Sequence, residues 1–264
     1  MGDVIVHLVD GTYELYRQYY GQARHSSKNH AAVDGVVAST QKLLAEGTGP
    51  VGVATDHVIE SFRNDLYDGY KTSEGMEPEI LEQIPVLEEK LRDLGVTVWP
   101  MVEFEADDAL ASAAWIATQD PSVHQVRIYT PDKDLGQCVS GRRVVQIDRR
   151  SGSIIDEKAV IEKIGLPPRS IPDYLALVGD QADGFPGAPG WGQKSAQAVL
   201  ARYGSIGEIP LNLHQWQADG VGVRGGERLV RSLESSADDV RTYLALSTLV
   251  TSVEVGTVTR WTAD

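Results

Sequence analysis

Residues 4–11 read VIVHLVDG, a nearly unbroken apolar run that stops at Asp10 and is followed by a glycine. Such a run, without polar alternation, is expected of a strand buried on both faces of a parallel sheet. The pattern recurs as VGVAT at 51–55, ending at Asp56, and as VRIYT at 126–130, ending just before Asp132. Between these runs the apolar spacing predicts helices over roughly 33–46, over 78–94 with an interruption at Pro85, and over 106–118. Strand and helix therefore alternate, which predicts an α/β domain with a mainly parallel sheet. Open parallel sheets carry their ligands beyond the C-terminal strand ends, where Asp10, Asp56 and Asp132 fall.

From about Ser170 the spacing turns helical in IPDYLALVGD, KSAQAVLARYG and DDVRTYLALSTLV. This predicts a smaller helical unit, with domains at 1–168 and 169–264. The least regular stretches are 21–31, 72–78 and 219–226. At 264 residues and 42% hydrophobic the chain can bury a proper core, which excludes fibrous and disordered classes. No run approaches the roughly 18 apolar residues of a membrane helix, and the start lacks the basic stretch and cleavage site of a secretory signal. Val6 stands where a myristoylation signal needs Ser or Thr. The lone Cys138 cannot form an intrachain disulfide, so a reducing cytoplasm is the expected compartment, with no membrane partner.

Against 24 basic residues stand 38 acidic ones, a net charge of −14, which argues against a general polyanion-binding surface. The argument reverses if carboxylates converge on cations, because a phosphate then feels the metal as well. Four clusters qualify: Asp10 with Asp56; Glu105, Asp107 and Asp108 in EFEADDALA; Asp132 and Asp134 in TPDKDL; and Asp180 and Asp183 in VGDQADGFPG. These nine account for most of the net charge. All-oxygen donors suit Mg²⁺ or Mn²⁺ rather than Zn²⁺, and two such ions can drive hydrolysis of a phosphodiester. Taken singly, each cluster has a plainer reading. Asp107 and Asp108 could complement a helix dipole, Asp10-Gly11 and Asp183-Gly184 could be turns, and Asp132-Lys133-Asp134 could be a solvated loop.

The ordered set of motifs resembles the 5′-nuclease family: the flap endonucleases and the 5′-to-3′ exonuclease domains of bacterial DNA polymerases, here in stand-alone bacterial form. LVDG with Tyr16 six residues past Asp10, the Asp56-to-Arg63 spacing, GYK at 69–71, EADD at 105–108, DKDL at 132–135 and GDxxD at 179–183 match in sequence order. The resemblance implies a PIN-like α/β domain followed by a helix-three-turn-helix unit. It implies Asp10, Asp56, Asp107 and Asp108, with Glu105 directly or through water, as ligands of a first Mg²⁺ or Mn²⁺. Asp132, Asp134, Asp180 and Asp183 would hold a second. Tyr16 matches the aromatic that stacks a base beside the scissile phosphate. Arg63 and Lys71 match basic residues that touch that phosphate and line a gateway for a single-stranded 5′ end. Glu74 stands where a second gateway cation is frequent, and the stretch 72–94 is short and acidic.

PGAPGWGQKSAQAVLARYG at 186–204 is a Gly/Pro-rich hairpin entering a helix, able to hold a phosphate on backbone N–H groups with help from Lys194. A Walker A reading fails because Gln193 occupies the lysine position. The resemblance makes this hairpin, with Gly187, Gly190, Gly192, Lys194 and Ser195, the duplex-binding element and the seat of a monovalent cation such as K⁺. It departs from the family in Gly184, where Asn is usual, and in Ala188-Pro189 and Trp191, where aliphatics are common. Arg224, Arg228 and Arg231 are either further backbone contacts or a solvated face interleaved with Glu227 and Glu234.

The expected protein is thus a monomeric, metal-dependent 5′ nuclease of the bacterial cytoplasm and nucleoid. It would act on DNA with a 5′ flap or 5′ end, with RNA primers as a further substrate and no protein partner legible. At 264 residues, no attached polymerase is expected. The rivals are a PIN-type ribonuclease and a non-catalytic structure-specific DNA-binding module. A magnesium-dependent phosphatase is weaker, since Asp10 lacks the aspartate two residues on that its nucleophile motif needs.

Overall fold

The structure is a computed structural model that describes residues 4–21 and 30–261, so most of the stretch 21–31 lies outside the described residues. In chain order the elements begin β1 (Val4–Asp10), α1 (Gly11–Gly21), α2 (Ala31–Glu46), β2 (Val51–Asp56), α3 (Phe62–Leu66), α4 (Pro78–Leu81) and α5 (Gln83–Asp93). There follow β3 (Thr97–Met101), α6 (Ala106–Gln119), β4 (Val123–Tyr129), β5 (Val144–Ile147), β6 (Ile154–Ile155) and α7 (Glu157–Ile164). The last helices are α8 (Ile171–Val178), α9 (Gln193–Tyr203), α10 (Leu213–Ala218), α11 (Gly226–Ser235) and α12 (Ala237–Ser247).

Six strands form one sheet in the order β3-β2-β1-β4-β5-β6, parallel throughout except for the final β5–β6 pair. The mainly parallel α/β fold is therefore as expected, with the three expected strands at its centre. The chain runs outward from β1 to β2 and β3, then returns to β4 on the other side of β1. That reversal creates a crevice at the C-terminal ends of β1 and β4, the place where such sheets bind ligands. Helices cover both faces. Val6, Leu8, Ala54 and Ile128 pack on the alanine-rich side of α6. Val9, Val53 and Val145 pack against Leu15, Val36 and Leu87 of α1, α2 and α5. Pro85 falls in the first turn of α5, where its missing N–H leaves no helical bond unmade, and the helix breaks just ahead of it at Glu82.

Three strands were not anticipated: β3, β5 and the two-residue β6. In β3 Pro100 lowers strand propensity, but β3 is an edge strand, where a missing N–H is tolerated.

The chain forms two compact units. The first gathers the residues up to Phe62, Thr72–Asp156 and the chain from Leu249 on; the second gathers Arg63–Lys71 and Glu157–Thr248. In the first unit the final segment lies on the sheet core, with Leu249, Val253, Val255 and Trp261 buried beside Trp99 and α6. The Trp99 and Trp261 indoles meet edge-on at 5.3 Å, and both donate to the Val255 carbonyl, at 3.1 and 2.6 Å. The second unit has its own core around Leu177, Trp191, Leu200, Trp216 and Leu229.

His7 is fully buried on β1, with Nδ1 2.7 Å from the Tyr129 hydroxyl and Nε2 2.7 Å from Thr48 Oγ1. Burial, and then the Arg127 charge, push its pKa down to about 4, so the folded protein keeps the imidazole neutral. Between its ordinary value and pH 4 the unfolded chain binds a proton here that the folded chain does not. Stability is therefore lost as pH falls through that window. The loss relative to His7→Gln should be on the order of 3 kcal/mol between pH 7 and pH 4. Urea midpoints across this range would check it, and equal acid sensitivity in the two proteins would contradict it.

Candidate metal centre and substrate-binding residues

In the first unit, β1 delivers Asp10 and β2 delivers Asp56 at the C-terminal ends of neighbouring parallel strands. Asp10 is buried; Oδ1 accepts the Tyr13 N–H at 2.8 Å and Oδ2 accepts the Thr130 hydroxyl at 3.1 Å. Burial, with the neighbouring charges of Asp56 and Asp132, raises the Asp10 pKa to about 7. Thr130 joins Asp10 to Asp132, its hydroxyl donating to Asp10 while its Oγ1 accepts the Asp132 N–H, and Asp56 ends the neighbouring strand, so these three acids gather at the mouth of the β1–β4 crevice. Asp56 is oriented by its own partners, its Oδ1 accepting the Ala106 N–H at 2.8 Å and its N–H donating to Thr12 Oγ1 at 2.8 Å.

The Ala106 contact ties Asp56 to the start of α6, where Glu105 and Asp108 form a reciprocal capping box. Glu105 is buried, with Oε1 accepting the Ser61 hydroxyl at 2.8 Å. Asp108 is fully buried, and its two oxygens accept the N–H groups of Val250 at 2.8 Å and Glu105 at 3.1 Å. Asp107 is half-buried in the same turn. Helix capping, the plainer reading of this cluster, thus holds for Asp108 and coexists with a place beside the crevice. Cys138 feels both acids: burial first, then Asp107 and Asp108, push its thiol up to about 12, so it stays protonated near neutral pH.

Past β4, Asp132 is exposed and Asp134 half-buried. Thr130 Oγ1 accepts the Asp132 N–H at 3.3 Å, Asp132 Oδ1 accepts the Asp134 N–H at 2.8 Å, and Gln146 holds the Asp132 carbonyl at 2.6 Å. The local loop reading is therefore realised, and the same bonds fix where the carboxylates stand. All side-chain donors of this cluster are hard oxygens, and their mutual repulsion calls for a cation. The residues fit divalent metal ions of the Mg²⁺ class.

Tyr16 is half-buried on α1, within electrostatic reach of Asp56. The helix is clamped by Glu14, a fully buried carboxylate held by Arg17 at 2.8 Å and by Arg149 at 3.0 Å. Sequence reading missed this clamp, because nothing local links Arg149 to a residue 135 positions earlier.

In the second unit, Asp180 and Asp183 are buried on a loop closed by paired N–H···O bonds between Asp180 and Phe185, at 2.9 and 3.0 Å. Lys71 lies against this loop. Its N–H donates to the Asp183 carbonyl at 3.1 Å, and its Nζ is 3.0 Å from Asp183 Oδ1. Gly184 explains the departure from Asn: its φ is +87°, and a Cβ there would sit 2.1 Å from the Gly69 carbonyl oxygen. Gly184→Ala should therefore destabilise the protein by about 2–4 kcal/mol, read as a shift in the denaturant midpoint at unchanged slope. An unshifted midpoint would mean that this close approach is not made in solution.

Arg63 is 1% exposed, and its guanidinium donates to the carbonyls of Leu246 at 2.8 Å and Thr248 at 3.2 Å, at the C-terminal end of α12. In the hairpin, Gly187 and Gly190 have φ of +74° and +82°, and Ser195 Oγ accepts the Gly192 N–H at 3.1 Å at the start of α9. Lys194 is exposed on the first turn of that helix. Trp191, in place of an aliphatic, fills the core edge-on to Trp216 at 6.1 Å.

Residues 5–165 match the family model of the 5′-3′ exonuclease N-terminal resolvase-like domain, and residues 166–262 match that of the 5′-3′ exonuclease C-terminal SAM fold. A 5′-3′ exonuclease of Aquifex aeolicus is 32% identical over 219 residues, covering 81% of this chain and 75% of the relative. The thermostable DNA polymerase I of Thermus aquaticus is 36% identical over 210 residues, 78% of this chain but only 25% of that polymerase. The chain thus spans about a quarter of the polymerases it matches. The T5 5′-exonuclease, in a structure with bound zinc, shares the fold with a TM-score of 0.74 at 17% identity, over 92% of this chain and 89% of that one. With both domains matched over nearly its whole length, the chain belongs to the 5′-3′ exonuclease family and is a nuclease, a phosphodiester hydrolase.

Proposed function

We propose that this nuclease hydrolyses phosphodiesters near the 5′ end, or at the flap junction, of branched DNA, using two divalent ions, Mg²⁺ or Mn²⁺. The observation that carries the proposal is the gathering of Asp10, Asp56 and Asp132 at the β1–β4 crevice, where burial first, and then the two neighbouring charges, raise the Asp10 pKa to about 7. Asp10, Asp56, Asp107 and Asp108, with Glu105, are the proposed ligands of the first ion, and Asp132, Asp134, Asp180 and Asp183 those of the second. Asp108 also orients Glu105, whose N–H one of its oxygens accepts. When bound, such ions supply the Lewis acidity that activates water and neutralises charge on the leaving oxygen.

The chain's own groups bind and orient the strand. Tyr16 stacks the base beside the scissile phosphate. Lys71 offers its ammonium to that phosphate from its seat beside Asp183. Arg63 is assigned the same role by resemblance, yet its guanidinium is committed to the α12 carbonyls, so a phosphate contact requires breaking those bonds. The hairpin residues Gly187, Gly190, Gly192, Lys194 and Ser195 hold the duplex backbone through N–H groups and one cation, with K⁺ as the expected monovalent ion. The T5 flap endonuclease, whose fold this chain shares with a TM-score of 0.71, has been captured with DNA and metal ions.

The test is cleavage of end-labelled 5′-flap DNA beside matched duplex, single-stranded DNA, an RNA-primed flap and single-stranded RNA. Cuts concentrated at the flap junction or 5′ end of DNA are expected. Cutting confined to RNA would establish the ribonuclease reading, and tight junction binding without cutting the non-catalytic one.

A further inference from the structure

In the second unit α11 runs beside the hairpin, and Ser232 pins the two together, its hydroxyl donating to the Pro189 carbonyl at 2.7 Å. One turn before Ser232, Arg228 lies against the hairpin itself. A Cβ at Gly190 would sit 2.5 Å from Arg228 Nη2 and 2.9 Å from its Nε, so the guanidinium occupies the space that a side chain there would take. Gly190 and Arg228 are both exposed, and with Pro189, Arg231, Ser232 and Glu234 they line an open groove of about 810 Å³.

Arg228 and Arg231 look alike in the sequence, three residues apart on one helix, but they keep different company. Arg231 turns back on its own helix: its Nη2 is 3.7 Å from Glu227 Oε2, and its Nε donates to the Glu227 carbonyl at 3.3 Å. Arg228 has no ion pair among the described residues, although Glu227 and Glu234 stand on the same helix and the chain carries a net charge of −14. An unpaired guanidinium brought down to the level of a hairpin turn is what an external anion requires.

We infer that Arg228 is a phosphate-binding residue, donating to a phosphodiester of the duplex whose backbone the hairpin holds, and that Arg231 takes no part. This rests on the duplex-binding reading of the hairpin given above. Gly190 admits the guanidinium because it has no side chain, and the planar fork offers two N–H donors to two phosphate oxygens. Glu234, further along the same groove, repels a second phosphate, so the contact is a single one. It goes to the backbone and reads no base.

The test is the salt dependence of binding to a 5′-flap DNA duplex, followed by fluorescence anisotropy at fixed Ca²⁺ in place of Mg²⁺. Loss of one phosphate contact flattens the plot of log affinity against log salt by about 0.9. Arg228→Gln should show that flattening and bind about tenfold more weakly near physiological salt. Arg228→Lys, which keeps the charge without the fork, should keep the slope and recover part of the affinity. Arg231→Gln should keep the wild-type slope. An unchanged slope in Arg228→Gln, or an equal flattening in Arg231→Gln, would overturn the inference. Failure of the wild type to bind the flap duplex would instead overturn the duplex-binding reading on which it rests.

Discussion

Asp10→Asn is expected to lower the single-turnover rate of flap cleavage at saturating Mg²⁺ by at least about a thousandfold while leaving the protein folded. The replacement preserves shape and can still accept the Tyr13 N–H that Asp10 Oδ1 accepts. It removes the charge at the position where the parallel sheet directs its ligand, and the amide NH2 that replaces Oδ2 can donate to Thr130 Oγ1 in place of the hydroxyl bond Oδ2 accepts. Stability should change in the opposite direction. The folded-state pKa of Asp10 is raised to about 7, above its ordinary value, so stability in the absence of metal falls as pH rises through that window, where the folded state must give up a proton it holds tightly. At pH 8 without metal, the variant should therefore melt above the wild type, and at pH 4 the two should converge. A variant that cleaves at the wild-type rate would remove Asp10 from the metal centre. One that melts lower at pH 8 would show that burial and the neighbouring charges do not disfavour the Asp10 carboxylate in the folded state.

The second large effect concerns Arg63. Arg63→Ala should cost about 3–4 kcal/mol, because it leaves buried carbonyls at the end of α12 without their charged donor and opens a void where a nearly fully buried side chain stood. Arg63→Lys should recover little, since one ammonium cannot reproduce the forked contact to two carbonyls. Denaturant midpoints of the three proteins decide the matter. Unchanged stability in Arg63→Ala together with a raised KM would make Arg63 a phosphate ligand rather than a brace.

Much of this was legible in the sequence. The apolar runs ending at Asp10 and Asp56 fixed both the central strands and the acids at their ends, because a strand buried on both faces announces itself by unbroken hydrophobicity. Other features had no such signal. β3 was hidden by Pro100, which only an edge position tolerates. The packing of the chain after Leu249 on the sheet core was hidden because its apolar residues follow neither helix nor strand period. The sequence suggests one boundary near residue 168, and the two family models meet at 165 and 166; the compact units gather the chain in several pieces, and short excursions such as Arg63–Lys71 leave no compositional mark.

At the site, residue types singled out the acids as candidates, but their supports were invisible. The Glu14–Arg149 pair joins distant segments, and Thr130 and Ser61 are ordinary hydroxyls until the fold brings them to Asp10 and Glu105. The burial of Arg63 inverts what an arginine suggests in a sequence. Gly184 illustrates the converse: a departure from the family pattern became intelligible once the Gly69 carbonyl was seen to fill the space of a side chain.

The central claim is that the converging carboxylates form a two-metal hydrolytic centre. Its most direct test is the single-turnover rate of 5′-flap cleavage as a function of free Mg²⁺, from EDTA to saturation. The structure predicts no cleavage in EDTA and a rate that rises more steeply than first order in Mg²⁺ before it saturates. Cleavage that persists in EDTA would contradict it.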